Sequence, residues 1–424
     1  MEKKRDYVYG KRDRITINLR FYFHRLFQLM QAFFNKLKPH KRNKNGKITF
    51  LATGFNDIAS IEEFFIKCNW YLPNGLIEYK ILVISPFQIE RIDLISDNRF
   101  SFISEHPGLY GNIDFILLND WKQLFSFKNI FNINKIVIID NNYFSYVESL
   151  EWQNLFYRCL NTDKKSHFSD ISKQNFSKYK IEKSHKDRAA CFVTGPSFSE
   201  YPNFSFDSND LIVICNSIVK NTSFLEHTNG ADILTFADPV FHFSFNKYST
   251  VFRSSMLLTF KKYNFFIAIP MEVFPLMYSH YPELKDHLIG INYKRHQNSY
   301  NIPSLENMWV KDNANILTNL MIPMACSVVN KIDILGADGR KPDEKYFWAH
   351  NSSVQFDDLM NSVFEAHPSF FRDRDYKDYY DQHCQSCAEL LEYCETYGKE
   401  FNLLTNSYIP AFSKRYSVNK TVAS

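Results

Sequence analysis

Short, wholly apolar runs recur through most of this chain, each closed by a polar or glycine-containing turn and several followed by a stretch with helical spacing. Ile48–Ala52 runs into Thr53-Gly54-Phe55-Asn56-Asp57 and then the helix-like Ile58–Cys68. Ile81–Ile84, Phe115–Leu118 and Ile136–Ile139 are further runs, ending in Ser85-Pro86, Asn119-Asp120 and Asp140-Asn141. The pattern starts again at Ala189–Val193 and continues through Leu211–Cys215, Ile233–Phe236, Phe265–Ile269, Ile332–Leu335 and Phe401–Leu404, the last preceded by a helix over Gln385–Tyr397. Runs this apolar suit strands covered on both faces. Their alternation with helical stretches predicts an α/β fold with mostly parallel, doubly wound sheets, here two Rossmann-like domains.

Residues Asn161–Asp187 are rich in Lys and Ser and poor in apolar residues, and read as a linker. The expected organisation is therefore a basic helix and linker over 1–47, a first domain over 48–160, a linker over 161–188 and a second domain over 189–424. A length of 424 residues accommodates two or three domains.

The charge is uneven. Residues 1–47 hold 14 Lys or Arg and 3 Asp or Glu, whereas the whole chain is only +4. Within that tail Leu19, Phe23, Leu26, Phe27, Met30, Phe33, Phe34 and Leu37 recur at steps of three and four, predicting an amphipathic helix over Ile15–Leu37. Two readings stay open: attachment to an anionic membrane surface, or a helix packed on the body with a solvated basic face. The rest of the chain is mildly acidic, which argues against a nucleic-acid partner. Eight scattered cysteines, with no segment that reads as a signal peptide, predict reduced thiols and a cytoplasmic protein. His383, Cys384 and Cys387 lack a second ligand pair at matching spacing, so no metal is expected. No uninterrupted apolar run is long enough to span a bilayer. Aromatics are 17% of residues and are spread throughout, so a single Phe or Tyr carries little functional weight.

The candidate chemistry lies where the runs of the second half end, since ligands of open α/β sheets collect beyond the carboxyl ends of strands. Thr194-Gly195-Pro196-Ser197 is a turn in which glycine permits close approach, and in which backbone N–H groups and the Ser197 hydroxyl would meet an anion. An ordinary strand-end turn looks the same. Asn216 and Ser217 follow the next run; Asn216 either reads a base edge or ribose hydroxyl or caps a helix. Asp238, fixed in extended backbone by Pro239, is a nucleophile, a base or a turn former. Gly336, Asp338 and Arg340 lie in a Gly-x-Asp-Gly-Arg turn, followed by Tyr346. His367 is a loop histidine suited to acid–base work or to simple exposure.

In their order, these residues resemble bacterial sialyltransferases that use CMP-sialic acid, and relatives that transfer other ulosonic acids. The resemblance runs from Ala189 to Phe412. Those enzymes open their nucleotide-binding domain with a strand and a Gly-x-Gly-Pro-Ser turn, matched by Val193-Thr194-Gly195-Pro196-Ser197 with Val193 in the place of the first glycine. A Cys-Asn at the next strand end is matched by Cys215-Asn216, and a later Ser-Gly-Ile-Asp by Leu335-Gly336-Ala337-Asp338. Tyr346 stands where the family places a tyrosine on the CMP phosphate. Leu390-Leu391-Glu392 and Leu403-Leu404-Thr405-Asn406-Ser407 match the closing helix, strand and turn. Arg340 replaces the family's other phosphate-binding tyrosine, a cation in place of a phenol. Asp238-Pro239 replaces an Asn-Pro, and in this the chain looks like the retaining β-Kdo transferases of lipopolysaccharide and capsule synthesis.

The resemblance implies a GT-B-like arrangement, with acceptor in the first domain and CMP-sugar in the second. It implies CMP held by Thr194–Ser197 and Asn216, its phosphate met by Arg340 and Tyr346, and Asp238 attacking the ketosidic carbon with overall retention. His367 would be acid–base or phosphate partner, Asp338 would fix its turn, and neither metal nor other cofactor is implied. Other readings are an inverting sialic or pseudaminic acid transferase in which Asp238 only shapes the pocket, a pyrophosphokinase-like nucleotide-binding protein, and a noncatalytic assembly protein docked by its basic helix.

Overall fold

Both series of apolar runs form parallel sheets. The computed structural model describes residues 11–37, 47–87, 97–143, 147–295, 297–313, 315–340, 351–367 and 376–416. The chain divides into two compact units, residues 1–161 with 363–374, and 162–362 with 375–424.

In the first unit, the described strands are β1 (Ile48–Thr53), β2 (Tyr79–Val83), β3 (Phe100–Phe102), β4 (Phe115–Leu118) and β5 (Ile136–Ile138), in the order β3-β2-β1-β4-β5. All the pairings are parallel. The 27-residue helix α1 (Lys11–Leu37) buries Phe27 and packs Phe23, Met30 and Phe34 on a core containing Leu51, Ile116, Leu118 and Ile138. Gln31 fixes it there, donating from Nε2 to the carbonyls of Ile133 (3.0 Å) and Ile136 (2.8 Å). Helix α2 (Ile58–Tyr71) starts at a capping box: Asp57 Oδ1 accepts from Ser60 N–H at 2.7 Å, and the Asp57 N–H donates to Ser60 Oγ at 3.3 Å. Its Tyr71 ring stacks on Trp152 of α3 (Val147–Cys159) at 5.5 Å and 5°.

The second unit opens with a correction. Residues expected to form a linker fold as α4 (Thr162–Glu182), a 21-residue helix. Its inward stripe is Phe168, Ser172, Asn175, Phe176 and Tyr179, all buried. Two of these five are polar because they bond to the sheet. Ser172 Oγ donates to the Gly290 carbonyl (2.9 Å) and accepts its N–H (2.8 Å), while Asn175 Nδ2 donates to the carbonyls of Lys285 and Leu288, each at 2.7 Å. A polar buried stripe on a Lys-rich helix reads, by composition, as a loop.

The strands that follow are β6 (Arg188–Phe192), β7 (Asp210–Cys215), β8 (Ile233–Thr235), β9 (Phe266–Pro270), β10 (Leu288–Lys294), β11 (Trp309–Lys311), β12 (Lys331–Leu335) and β13 (Glu400–Leu403). Among the described residues they form one parallel sheet in the order β11-β10-β9-β8-β7-β6-β12-β13. Helices α5 (Lys247–Tyr263) and α6 (Tyr376–Glu395) belong to the same unit. The chain steps outward from β6 to β11 and then returns to place β12 on the other flank of β6. The β6–β12 pair is thus a topological switch point, where crevices open in sheets of this type. At the opposite, amino edge, ion pairs stitch the strands: Arg188 to Asp210 (2.8 Å) and Asp333 (3.1 Å), and Lys183 and Lys186 to Asp232 (2.8 and 3.1 Å). The fold is therefore mixed α/β with two parallel sheets, as the apolar runs predict. Strands β3, β10 and β11 were not anticipated: β3 and β11 have three residues each, and Gly290 interrupts β10.

Asn175→Ala should cost about 1–3 kcal/mol by stranding two buried carbonyls, seen as a lower denaturant midpoint for the second unit. Lys173→Ala, on the exposed side of α4, should leave that midpoint unchanged.

Candidate functional site

The loops leaving β6 and β12 are stitched together immediately beyond their strands. Val193 N–H donates to the Leu335 carbonyl at 2.8 Å, and Gly195 N–H to the Gly336 carbonyl at 3.0 Å. Ser197 N–H then donates to the Asp338 carboxylate, 3.1 and 3.2 Å from its two oxygens. The approach is close enough to require glycine twice. A Cβ on Gly195 would collide with the Asp338 carboxylate and the Gly336 carbonyl. Gly336 adopts φ +86° with the Val193 carbonyl where a Cβ would stand. Further along, Ser197 Oγ and Thr405 Oγ1 lie 2.9 Å apart, and Ser407 Oγ donates to the Ala337 carbonyl at 2.6 Å.

This clasp corrects one expectation. The Gly-Pro-Ser turn does not offer its own amides to an anion: those of Gly195 and Ser197 are already donated within the protein, and Pro196 has none. Burial raises the pKa of the Asp338 carboxyl, although the Ser197 N–H bonds oppose the shift.

Beside the clasp is a cavity of about 20 Å³, whose lining includes Thr194, Gly195, Gly336, Asp338, Asn315 and His383. It has room for a water-sized group, not a nucleotide. Sequence reasoning missed Asn315 and weighed His383 only as a zinc ligand. His383 lies on α6 with its ring nitrogens 3.7 Å from Cys387 Sγ, and burial lowers its pKa to about 4, so the ring is neutral at pH 7. Asn315 precedes a π-helical turn, Leu317–Met321, whose Leu317 also lines the cavity. Such turns are frequent at functional sites.

Asn216 follows β7 in the left-handed region, at φ +48°. Its side-chain oxygen Oδ1 is buried and has no hydrogen-bond partner among the described residues. An orphaned buried acceptor calls for a donor from elsewhere. Ser217, expected beside it as a ligand contact, instead donates from Oγ to the Val354 carbonyl. That bond belongs to a strap over residues 351–362. Asn351 N–H donates to the Thr194 carbonyl (2.9 Å), Tyr248 OH to Gln355 Oε1 (3.1 Å) and Tyr248 N–H to Ser362 Oγ (3.1 Å). The strap thereby ties the β6 and β7 strand ends to the start of α5.

Asp238 lies three residues beyond β8 and is half-buried. Its Oδ1 accepts from the N–H groups of Val240 (2.8 Å) and Phe241 (3.0 Å), and its own N–H donates to His242 Nδ1 at 3.1 Å. Burial lifts its pKa to about 6 against the pull of those two N–H bonds. Burial, with Arg253 nearby, lowers the pKa of His242 to about 3, so the ring stays neutral and keeps Nδ1 as an acceptor. Arg253 in turn donates to the carbonyls of His242 and Ser244, both at 2.7 Å. His242 and Arg253 hold the Asp238 turn; the sequence signal for His242 was its position four residues after the aspartate.

Arg340 follows Gly339 at the β12 end. Its N–H donates to Tyr380 OH at 3.1 Å and its guanidinium lies 6.0 Å from the Tyr380 ring centroid. Among the described residues it has no carboxylate partner within ion-pair distance.

Tyr346 lies outside the described residues. His367 belongs to the first unit. There it is buried beside Glu148 and Ser149, with Nδ1 3.4 Å from Glu148 Oε2 and Nε2 3.2 Å from Ser149 Oγ. Its pKa is lowered, mainly by burial. A histidine sealed this way is a packing residue of the first unit, because the Val363–Arg374 segment that carries it folds into that unit. Among the described residues no group of three or more His, Cys, Asp or Glu side chains gathers as a metal site would. No known protein family, curated protein or solved structure matches the chain.

Replacing Gly336 by Ala should destabilise the second unit by more than about 1 kcal/mol, since positive φ and the Val193 carbonyl both oppose a Cβ. A melting temperature equal to that of the wild type would show that the clasp relaxes at no cost.

Proposed function

We propose that the chain is a glycosyltransferase that moves an ulosonic acid, most readily Kdo, from a CMP-activated donor to a lipopolysaccharide or capsule glycan. In this reading the two Rossmann-like units divide the work as in GT-B enzymes, the second unit taking the donor and the first the acceptor. The supporting observation is the delivery of Asp238, Asn216, Thr194–Ser197 and Gly336–Arg340 to one carboxyl edge by the consecutive neighbours β8, β7, β6 and β12. Along that edge stand, among the described residues, an amide oxygen without a hydrogen-bond partner, a cation without a carboxylate partner and a carboxylate with a raised pKa. They suit, respectively, a base or ribose donor group, a phosphate and an electrophilic sugar carbon.

The Asp238 oxygen that accepts no hydrogen bond among the described residues attacks the anomeric carbon as the bond to the CMP phosphate breaks, and CMP departs with both electrons. The acceptor hydroxyl then displaces Asp238 from the glycosyl ester, regenerating the carboxylate and releasing a proton. Arg340 meets the donor's single phosphate, so no metal or other cofactor enters the scheme. Thr194, Gly195, Pro196 and Ser197 shape the edge rather than grip the phosphate through N–H groups. The eight free cysteines fit a cytoplasmic setting.

One observation favours the inverting alternative: the two backbone N–H bonds to Oδ1 make Asp238 a good turn former. The anomeric configuration of the product, read by NMR, separates the two readings.

Asp238→Asn keeps the Oδ1 acceptor and hence the turn, and should lower turnover of CMP-Kdo by about a thousandfold or more. CMP should still raise the melting temperature of that variant, where UMP, GDP and ATP do not. Turnover retained within tenfold would remove the covalent step; absence of a CMP shift in the wild type would remove the donor.

Because the attacking carboxylate must be ionised, the kcat/KM profile should fall on the acid side with a midpoint near pH 6 and level off above it. A limb near pH 4 would point to an ordinary, solvated carboxylate.

A further inference from the structure

Helix α1 has two apolar stripes, one packed on the first unit's core and one largely exposed. Phe23, Phe27, Met30 and Phe34 face the first unit's core. Tyr22, Leu26, Leu29 and Phe33 repeat the same spacing one residue earlier, and are 66, 54, 61 and 59% exposed. One residue of offset turns a helix by about 100°, so the second stripe runs alongside the first, at the side of the helix and open to solvent. Phe125, itself 57% exposed, lies with its ring 5.2 Å from that of Phe23 and widens the apolar strip. Arg25 and Lys36 on the same helix are exposed.

An apolar strip of this extent marks an interaction surface. The charge around it selects the occupant. Residues 1–47 carry 14 Lys or Arg and 3 Asp or Glu. Two copies of so basic a segment repel each other when brought face to face, whereas an anionic surface attracts them. No described helix is long and apolar enough to cross a membrane. A helix with one face anchored to protein and another apolar face flanked by cations suits the plane of a headgroup layer.

We infer that the outer stripe of α1 docks the protein on an anionic phospholipid bilayer, with the helix lying in the plane of the surface. Leu26, Leu29 and Phe33 enter the acyl boundary while the basic segment meets the headgroups. This inference stands apart from the glycosyl-transfer reading, because it uses only the first unit and needs no donor.

The test is flotation of the full chain with vesicles of phosphatidylcholine alone and of phosphatidylcholine with phosphatidylglycerol, at low and high salt. The protein should float with the anionic vesicles, less so at high salt, and stay behind with the neutral ones. Leu26→Ser combined with Phe33→Ser should weaken anionic binding by about tenfold or more, with an unchanged melting curve because both side chains are exposed. Arg25→Glu combined with Lys36→Glu should weaken it as well, leaving the apolar stripe intact. The inference is overturned by failure to float with anionic vesicles, by equal flotation on neutral ones, or by serine variants that bind undiminished. It is equally overturned if the chain is a dimer that the serine substitutions dissociate without any lipid binding.

Discussion

The parallel pairing of β6 with β12 organises the second unit. It is where the chain, having laid down strands in one direction, returns to the other flank, so the loops beyond the two strands meet. Two glycines make that meeting possible at backbone distance, and the Asp338 carboxylate closes it by accepting the Ser197 amide. The clasp uses up the amides that a strand-end turn of this kind would otherwise present to a ligand. Whatever binds at this edge therefore does not find the Gly195 and Ser197 amides free.

The two edges of the same sheet are treated differently. At the amino edge, Arg188, Lys183 and Lys186 meet Asp210, Asp333 and Asp232 in ion pairs. At the carboxyl edge, among the described residues, Asn216 Oδ1 is buried without a hydrogen-bond partner and Arg340 has no carboxylate partner, and the Asp238 carboxyl is lifted by burial. Leaving polar groups under-satisfied costs stability. On the proposed reading, that cost at the carboxyl edge is borne for binding and chemistry.

Strongly apolar strands were legible because burial on both faces needs an unbroken apolar run, as in Leu211–Cys215. Helix α4 was not legible, because Ser172 and Asn175 do in its buried stripe what apolar side chains usually do, and they do it by bonding to β10. His367 was misplaced for a different reason. A Val363–Arg374 segment that lies late in the chain yet folds into the first unit leaves no local signature, and only its buried neighbours Glu148 and Ser149 reveal it. The strap over 351–362 is equally silent in sequence: its hold on Ser217 and Tyr248 is long-range bonding through carbonyls and a glutamine. Asn216 and Asp238 were recognisable as strand-end residues, but the orphaned oxygen of one and the raised pKa of the other are properties of their surroundings.

On the proposed reading, the sheet order also bears on why an arginine rather than a tyrosine stands at position 340. From β12 to β8 there are three inter-strand steps, about 14 Å at roughly 4.8 Å each. A phosphate must lie within one bond of the carbon that Asp238 attacks, and an aspartate's short side chain covers little of that span. The group reaching from the β12 side must then be long, and it must remain charged beside a second anion. Bringing a phosphate toward Asp238 would otherwise raise the carboxyl's pKa beyond about 6 and remove the ionised form that attacks. On that reading a guanidinium, unlike a phenol of similar reach, offsets the phosphate charge so that the nucleophile stays ionised.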